Sequence, residues 1–474
     1  MAETRITSNN VSLEDWTPSS SDEHMPSSRQ MDSTRKRASV LLGSAILQLP
    51  IWGFLMCYGV FQEYYTSNWS LAGDQEVTGV IGMVSNGVIY LSMPFLFALF
   101  TGHGRWARHR QAAALIGAAI TCASFVMSSF STHVWHLVAS QGVLSALGCA
   151  LLYSPTTLSL GEWFNSSNRA LAYGITLSCK NIVGSACPFL IRFLLDKYGL
   201  RTALQIWTAI TAGTSILGAM LVSTPPSRKI PWNFLRHPTI YIYSASIICQ
   251  SAGYGIPQTY LNTYASEVTL LSQASATLML ALFNVPGIVS SSFFGYLSDA
   301  SSWRPSLSPA STTAISAGSS GLAAFLFWGL TSSHQSGMAL LILFSVTFGF
   351  FAGGYSATWG GILNELEKEA AQRNEAIDMG MVYGLLNGAR GVGYVTGGLA
   401  GVPLLRAGVN AFGDVVHGAG SSSAGWNSMT RFGYETAYGP LIIFTGLSSL
   451  LGGLGIVWRW EKGLRRLTFG LFRD

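Results

Sequence analysis

Two cations, Lys180 and Arg390, sit deep inside long apolar segments of this 474-residue chain. A charge at the centre of a bilayer costs about 2.5–3.5 kcal/mol on insertion scales, and it is tolerated where the residue faces a wet cavity, a partner or a ligand. The two positions are alike. Lys180 lies seven residues after the Tyr of Tyr173-Gly174, and Arg390 lies seven residues after the Tyr of Tyr383-Gly384. No acid is expected at comparable depth in the spans, since Glu162, Asp196 and Asp378 fall near span ends. Such a pair of cations suits a positive central cavity for an anionic or electron-rich solute. Arg can hold a carboxylate bidentately, whereas Lys acts as a point charge. The bland alternative is that carbonyls and hydroxyls of neighbouring helices cap each cation. Asn284, Asn387, Asn181, Gln258, Gln62 and Tyr58 are the next candidates for contact with a solute, or else interhelical hydrogen-bonding groups. Trp359 and Tyr254 are the aromatic candidates for a cavity wall.

The elements that must position these residues are membrane helices. A span needs about 20 predominantly apolar residues. Twelve such segments are predicted, at 39–61, 77–101, 111–131, 135–160, 170–195, 202–222, 239–263, 274–298, 311–331, 337–363, 380–405 and 437–459. Hydrophobic residues make up 49% of the chain and charged residues 10%, and the mean hydropathy is +0.36. A soluble protein cannot hide so many apolar helices, so the fold class is an all-α membrane protein. Lys and Arg cluster on alternate loops, among them Arg105, Arg108, Arg110, Arg169, Arg228, Lys229, Arg236, Arg304, Lys368 and Arg373. The opposite side carries Lys197, Arg201, Arg406 and Arg431, with Arg192 nearby. The positive-inside rule then places the basic loops and both termini in the cytoplasm. Residues 1–38 read as a disordered cytoplasmic tail, 39–222 and 239–460 as two six-helix bundles, 223–238 as a cytoplasmic linker and 461–474 as a second tail.

The chain repeats itself. Tyr58-Gly59-Val60-Phe61-Gln62-Glu63-Tyr64 closes the first segment and Tyr254-Gly255-Ile256-Pro257-Gln258-Thr259-Tyr260 closes the seventh, with four identities at an offset of 196 residues. The Tyr-Gly-to-cation pattern recurs between segments five and eleven at an offset of 210. Both matches are in register with a duplication of six helices. Two parallel repeats about an axis along the membrane normal, with the solute site at midplane between them, is the construction of the major facilitator superfamily.

The resemblance then becomes specific. Tyr58 to Tyr65, Gln141-Gly142 through Pro155, and Arg169-Ala170-Leu171-Ala172-Tyr173-Gly174 through Pro188 resemble helices 1, 4 and 5 of the monocarboxylate-porter-like family of that superfamily, especially its fungal members. Gly295-Tyr296-Leu297-Ser298-Asp299 resembles the superfamily loop motif after helix 8. The similarity covers about 39–460 and implies a secondary transporter in which Asp299 acts as a gate element. Two departures stand out. The stretch Phe97-Ala98-Leu99-Phe100-Thr101-Gly102 lacks the acid of the helix 2–3 motif, and Asn284 is not followed by the Gly-Arg common in carboxylate porters of the family. Both point away from simple proton–lactate symport and towards a specialised member, some of which export secondary metabolites.

Several classes are excluded. There is no phosphate-binding G-x-x-x-x-G-K-S/T loop, no C-x-x-C and no H-E-x-x-H, so no cofactor, metal or enzyme chemistry is expected. The net charge of +5 comes from short loops and offers no patch for nucleic acid. All six cysteines fall inside spans as small hydrophobes. Asn68-Trp69-Ser70 is a glycosylation sequon in the first outer loop. The expected partners are the lipid bilayer, an anionic small molecule and protons, in the plasma membrane or alternatively the vacuolar membrane. The reading is a secondary active transporter of an organic anion or amphipathic metabolite. Its rivals are a proton-coupled monocarboxylate uptake permease and a non-transporting solute receptor, the latter disfavoured by tails of 38 and 14 residues.

Overall fold

The computed structural model describes residues 27–460, apart from 69–70, 102–104, 165, 223–232, 299–306, 332–335, 376, 378 and 413–431. Asp299, most of the expected linker, residues 1–26 of the first expected tail and all of the second lie outside the described residues, while residues 27–38 of the first are helical rather than disordered. Nine helical stretches among the described residues are long and apolar enough to cross a membrane. They are α1 (Thr34–Ser67), α2 (Gln75–Phe100), α3 (Arg110–Ser128), α4 (Val134–Trp163), the run Ala172–Leu221, α8 (Gln273–Ser298), α10 (Gly337–Gln372), α11 (Gly380–Phe412) and α12 (Gly439–Trp460). The run Ala172–Leu221 turns back at Gly199, whose φ of 73° lies in the left-handed region, so it crosses twice, as α5 (172–198) and α6 (200–221). Two further helices are long enough but more polar: α7 (Pro238–Glu267) and α9 (309–328). The result is an all-α membrane protein with twelve crossings.

Local chemistry sets the helix ends. Pro238 occupies the first turn of α7, where its missing N–H is no loss. Ser272 caps α8 by accepting a hydrogen bond from the Ser275 amide at 3.2 Å, and Ser308 caps α9 through the Ser311 amide at 3.1 Å. Pro286 divides α8 into Gln273–Asn284 and Gly287–Ser298. Helix α10 runs past the expected residue 363 to Gln372 because Trp359–Gln372 is amphipathic, with Glu365, Glu367, Lys368 and Glu369 leaving the apolar layer.

Helices α1–α6 pack as one bundle and α7–α12 as the other. The outer surface is apolar, with Phe95 76% and Val289 64% exposed, as a lipid-facing surface requires. The bundles meet along α2 with α11, α5 with α8 and α1 with α7. The first of these seams is close enough to exclude side chains: a Cβ on Gly391 of α11 would lie 2.4 Å from the Leu91 backbone nitrogen of α2. Small residues at such a seam let backbones approach where lipid supplies no hydrophobic drive to association.

Candidate functional site

A narrow cavity lies between the bundles, lined by residues of α1, α2, α4, α5, α10 and α11. Lys180 of α5 and Arg390 of α11 both line it, one from each bundle. The Lys180 ammonium stands 3.9 Å over the Trp52 ring, and its Nζ donates to the Tyr90 hydroxyl at 3.3 Å. The Arg390 guanidinium lies 5.0 Å from the centre of the Tyr90 ring, 5.6 Å from Tyr254, 5.7 Å from Tyr394 and 5.8 Å from Trp359. Tyr90 therefore stands between the two cations. Arg390 is 8% exposed, and its Nε has no hydrogen-bond partner.

Ring faces are the negative poles of aromatic quadrupoles, so they hold a cation at about 0.5–2 kcal/mol each without neutralising it. No carboxylate is among the lining residues. The net field in the cavity stays positive, and the buried Arg390 Nε–H is without an acceptor. Hydroxyl and amide groups of Gln48, Thr156, Thr157 and Asn387 complete the polar wall. The cavity runs from the cations towards the basic-loop end, since its α4 lining, Tyr153 to Leu160, lies near the end of that helix and Tyr173 lies near the start of α5. There Tyr173 and Tyr383 face each other across the bundles with ring centres 6.0 Å apart.

Of the residues singled out in the sequence, Lys180, Arg390 and Asn387 come together in this cavity. The Asn387 amide donates to the Tyr383 carbonyl at 2.8 Å. Asn181, Gln62, Asn284, Gln258 and Tyr58 stand outside its lining; Asn284 donates to the Gly184 carbonyl at 3.1 Å and joins α8 to α5. Gln258 is 5% exposed, and its amide nitrogen is 3.3 Å from the Met56 sulfur at the α1–α7 seam. Tyr58 donates to the Thr78 carbonyl at the far end of α2. Asn68 is exposed, donating to the Tyr64 carbonyl at 3.3 Å, while Trp69 and Ser70 of its sequon lie outside the described residues. Trp359 and Tyr254 stand around Arg390. Sequence reasoning missed Trp52, Tyr90 and Tyr394, which carry no signal distinguishing them from lipid-facing aromatics.

The opposite end is shut. Arg406 of α11 pairs with Asp74 and Glu76 at the start of α2, crossing between bundles. Glu63 of α1 pairs with Arg192 of α5. Glu63 is 1% exposed, a buried acid inside a span that sequence reading passed over.

Two bundles around a positive central cavity, closed at one end, define a membrane transporter. The sequence profile of the Major Facilitator Superfamily matches residues 54–398, and the chain belongs to that superfamily. It is 27% identical to an MFS-type transporter of Gibberella moniliformis over 314 residues, covering 63% of this chain and 70% of the relative. It is 24% identical to the MFS-type transporter pynF of Aspergillus niger, covering 81% of this chain and 85% of that one. It is also 27% identical to monocarboxylate transporter 12 of Xenopus laevis, over 52% of this chain and 59% of the relative. The family and these relatives are transporters, not enzymes, in keeping with a monocarboxylate-porter-like, fungal-type member.

Proposed function

We propose that this protein is a secondary active transporter that carries an organic anion by alternating access, with Lys180 and Arg390 as its solute-binding cations. The observation that carries the reading is the sharing of one cavity by two cations, one from each bundle, with no carboxylate in its lining. A solute bridging them contacts both bundles at once, so its binding energy is available to drive the rocking of one bundle against the other. With the basic loops in the cytoplasm, the end held by Arg406, Asp74 and Glu76 faces outside. The plasma membrane is the assigned location, and α1–α6 and α7–α12 are the two moving units.

A second reading, proton-coupled uptake of a monocarboxylate, is favoured by the similarity to monocarboxylate transporter 12 of Xenopus laevis. The absence of a carboxylate beside Lys180 and Arg390 makes it second.

The test is a panel of organic monocarboxylates and their uncharged amides, scored by thermal stabilisation of purified protein and by uptake into proteoliposomes. An acid is expected to stabilise and be carried while its amide is not. Folded Arg390→Gln with normal affinity for that acid would sink the assignment.

A further inference from the structure

The polar groups of the central cavity divide into those that can still give a proton and those that can only accept one. A threonine hydroxyl has a single proton to donate. Thr156 Oγ1 gives its own to the Leu152 carbonyl at 2.7 Å, Thr157 Oγ1 to the Tyr153 carbonyl at 2.9 Å and Thr176 Oγ1 to the Ala172 carbonyl at 2.9 Å. The Tyr173 hydroxyl donates to the Thr157 carbonyl at 3.0 Å. The two amides turn their nitrogens the same way, Gln48 Nε2 to the Ser44 carbonyl at 2.8 Å and Asn387 Nδ2 to the Tyr383 carbonyl at 2.8 Å. These donors are directed at backbone carbonyls, and the threonine oxygens keep lone pairs. The remaining donors stand at the cationic end. They are Lys180, the Arg390 Nε–H and the Tyr90 hydroxyl, which accepts from Lys180 and so keeps its own proton.

The two sets lie one helical turn apart. Thr176 precedes Lys180 by four residues on α5, and Asn387 precedes Arg390 by three on α11. Residues so spaced have Cβ atoms about 5–6 Å apart. In both bundles the neutral group lies on the basic-loop side of the cation, and Thr156 and Thr157 of α4 line the same stretch. The rest of the wall is mainly aromatic: Trp52, Tyr90, Tyr153, Tyr173 and Tyr383, with Leu160 and Leu177. Ring faces and edges in a narrow space suit a flat body that can stack or meet them edge-on.

We propose that the solute is an aromatic acid carrying a hydroxyl or N–H group at the end of its ring away from the carboxylate. The carboxylate takes Arg390 and Lys180, the ring lies among the aromatic walls, and the remote donor meets the oxygens of Thr156, Thr157 and Thr176. A hydroxyl on the carbon next to the carboxylate falls short of them, because the two sets stand about one turn apart. The inference rests on the two cations being the anion site and adds a second point of recognition to it.

The test measures binding isotherms of the purified full chain with benzoate, 4-hydroxybenzoate, 4-methoxybenzoate, trans-4-hydroxycyclohexanecarboxylate and 4-hydroxybenzamide. 4-Hydroxybenzoate is expected to bind about tenfold more tightly than benzoate, as for one added hydrogen bond. 4-Methoxybenzoate keeps the oxygen but cannot donate, and it is expected to bind no better than benzoate. The puckered cyclohexane acid is expected to bind more weakly than its aromatic counterpart. With Thr156→Val, Thr157→Val and Thr176→Val combined, 4-hydroxybenzoate and benzoate are expected to bind within about twofold of each other. Equal binding of the two acids by the wild type, equal binding of the methoxy or cyclohexane acid and 4-hydroxybenzoate, or a preference that survives in the folded triple variant overturns the proposal and leaves the anion site standing. If the triple variant fails to fold, the wild-type ratios decide alone. 4-Hydroxybenzamide binding as tightly as the acid sinks the anion reading instead, and no binding by any acid overturns both.

Discussion

At the end opposite the basic loops the bundles meet through charge, and at the basic-loop end they meet through rings and glycines. Arg406 with Asp74 and Glu76 closes the first across the bundles, and Glu63–Arg192, a pair within one bundle, reaches the other through Gln273 and Thr277. Tyr173 against Tyr383, and Phe97 against Gly384 at 3.0 Å for an added Cβ, stand at the second. Charge closure is conditional, because salt or water can replace each partner. Ring and glycine contacts depend on shape alone and give way when the helices tilt. Within the charged end a further contrast matters. Glu63–Arg192 is buried and hydrogen-bonded on both sides, whereas Arg406 and Asp74 are about half exposed. Burial raises the cost of breaking a pair, and exposure lets solvent stand in for the lost partner.

The largest effect is expected from Arg192→Ala, which strands Glu63 in a buried site. Stability is expected to fall by about 3–5 kcal/mol, read as the midpoint of thermal unfolding in detergent. A loss below about 1 kcal/mol would erase the distinction between the buried and exposed pairs.

Next comes the centre. Arg390→Gln removes the donor with a free buried N–H, and apparent affinity for a carried acid is expected to drop roughly 10- to 100-fold, as for loss of a charge-assisted hydrogen bond. Lys180→Met is expected to weaken binding less, because Lys180 already spends its ammonium on Tyr90 and Trp52. Binding isotherms on the same purified preparations check both, and equal losses would mean the two cations do not differ.

At the α2–α11 seam, Gly391→Ala forces a methyl group against the Leu91 backbone, and about 1–3 kcal/mol of destabilisation is expected. The unfolding midpoint measures it, and no change would mean the seam is looser than it stands here.

Arg406→Ala is expected to do least. Its initial transport rate should stay within about twofold of wild type, and the difference should vanish as salt rises. A larger, salt-independent loss would make the exposed clasp the principal closure of that end.

Much of this was legible along the chain. The apolar segments had to be membrane helices, since no soluble core could absorb them. Equal seven-residue spacing, about two helical turns, put Lys180 and Arg390 each on the face of its own Tyr, and the structure seats both in one cavity. Asn284, Gln258 and Tyr58 were equally polar and equally deep in sequence, yet Asn284 and Gln258 face seams between the bundles and Tyr58 turns to α2, because polarity in a span does not reveal which way a side chain turns. Arg110 looked like one more basic loop residue. It is 1% exposed and held by Glu162 of α4, with Nη2 donating to Oε1 at 2.9 Å. Glu63 lay in the stretch that carried the family resemblance, and its burial was invisible there.

What the sequence determined by itself was the solvent, the helical spans and the two central cations. Each is a property of one segment: length, hydropathy, loop charge or a short repeated spacing. What only the tertiary structure decided was pairing. Glu63 meets Arg192 across 129 residues, Arg406 meets Asp74 across 332, and Lys180 and Arg390 share Tyr90. Those partners are chosen by how twelve helices rotate and cross, which depends on glycine seams and side-chain volumes summed over the bundle and is written in no single stretch of chain.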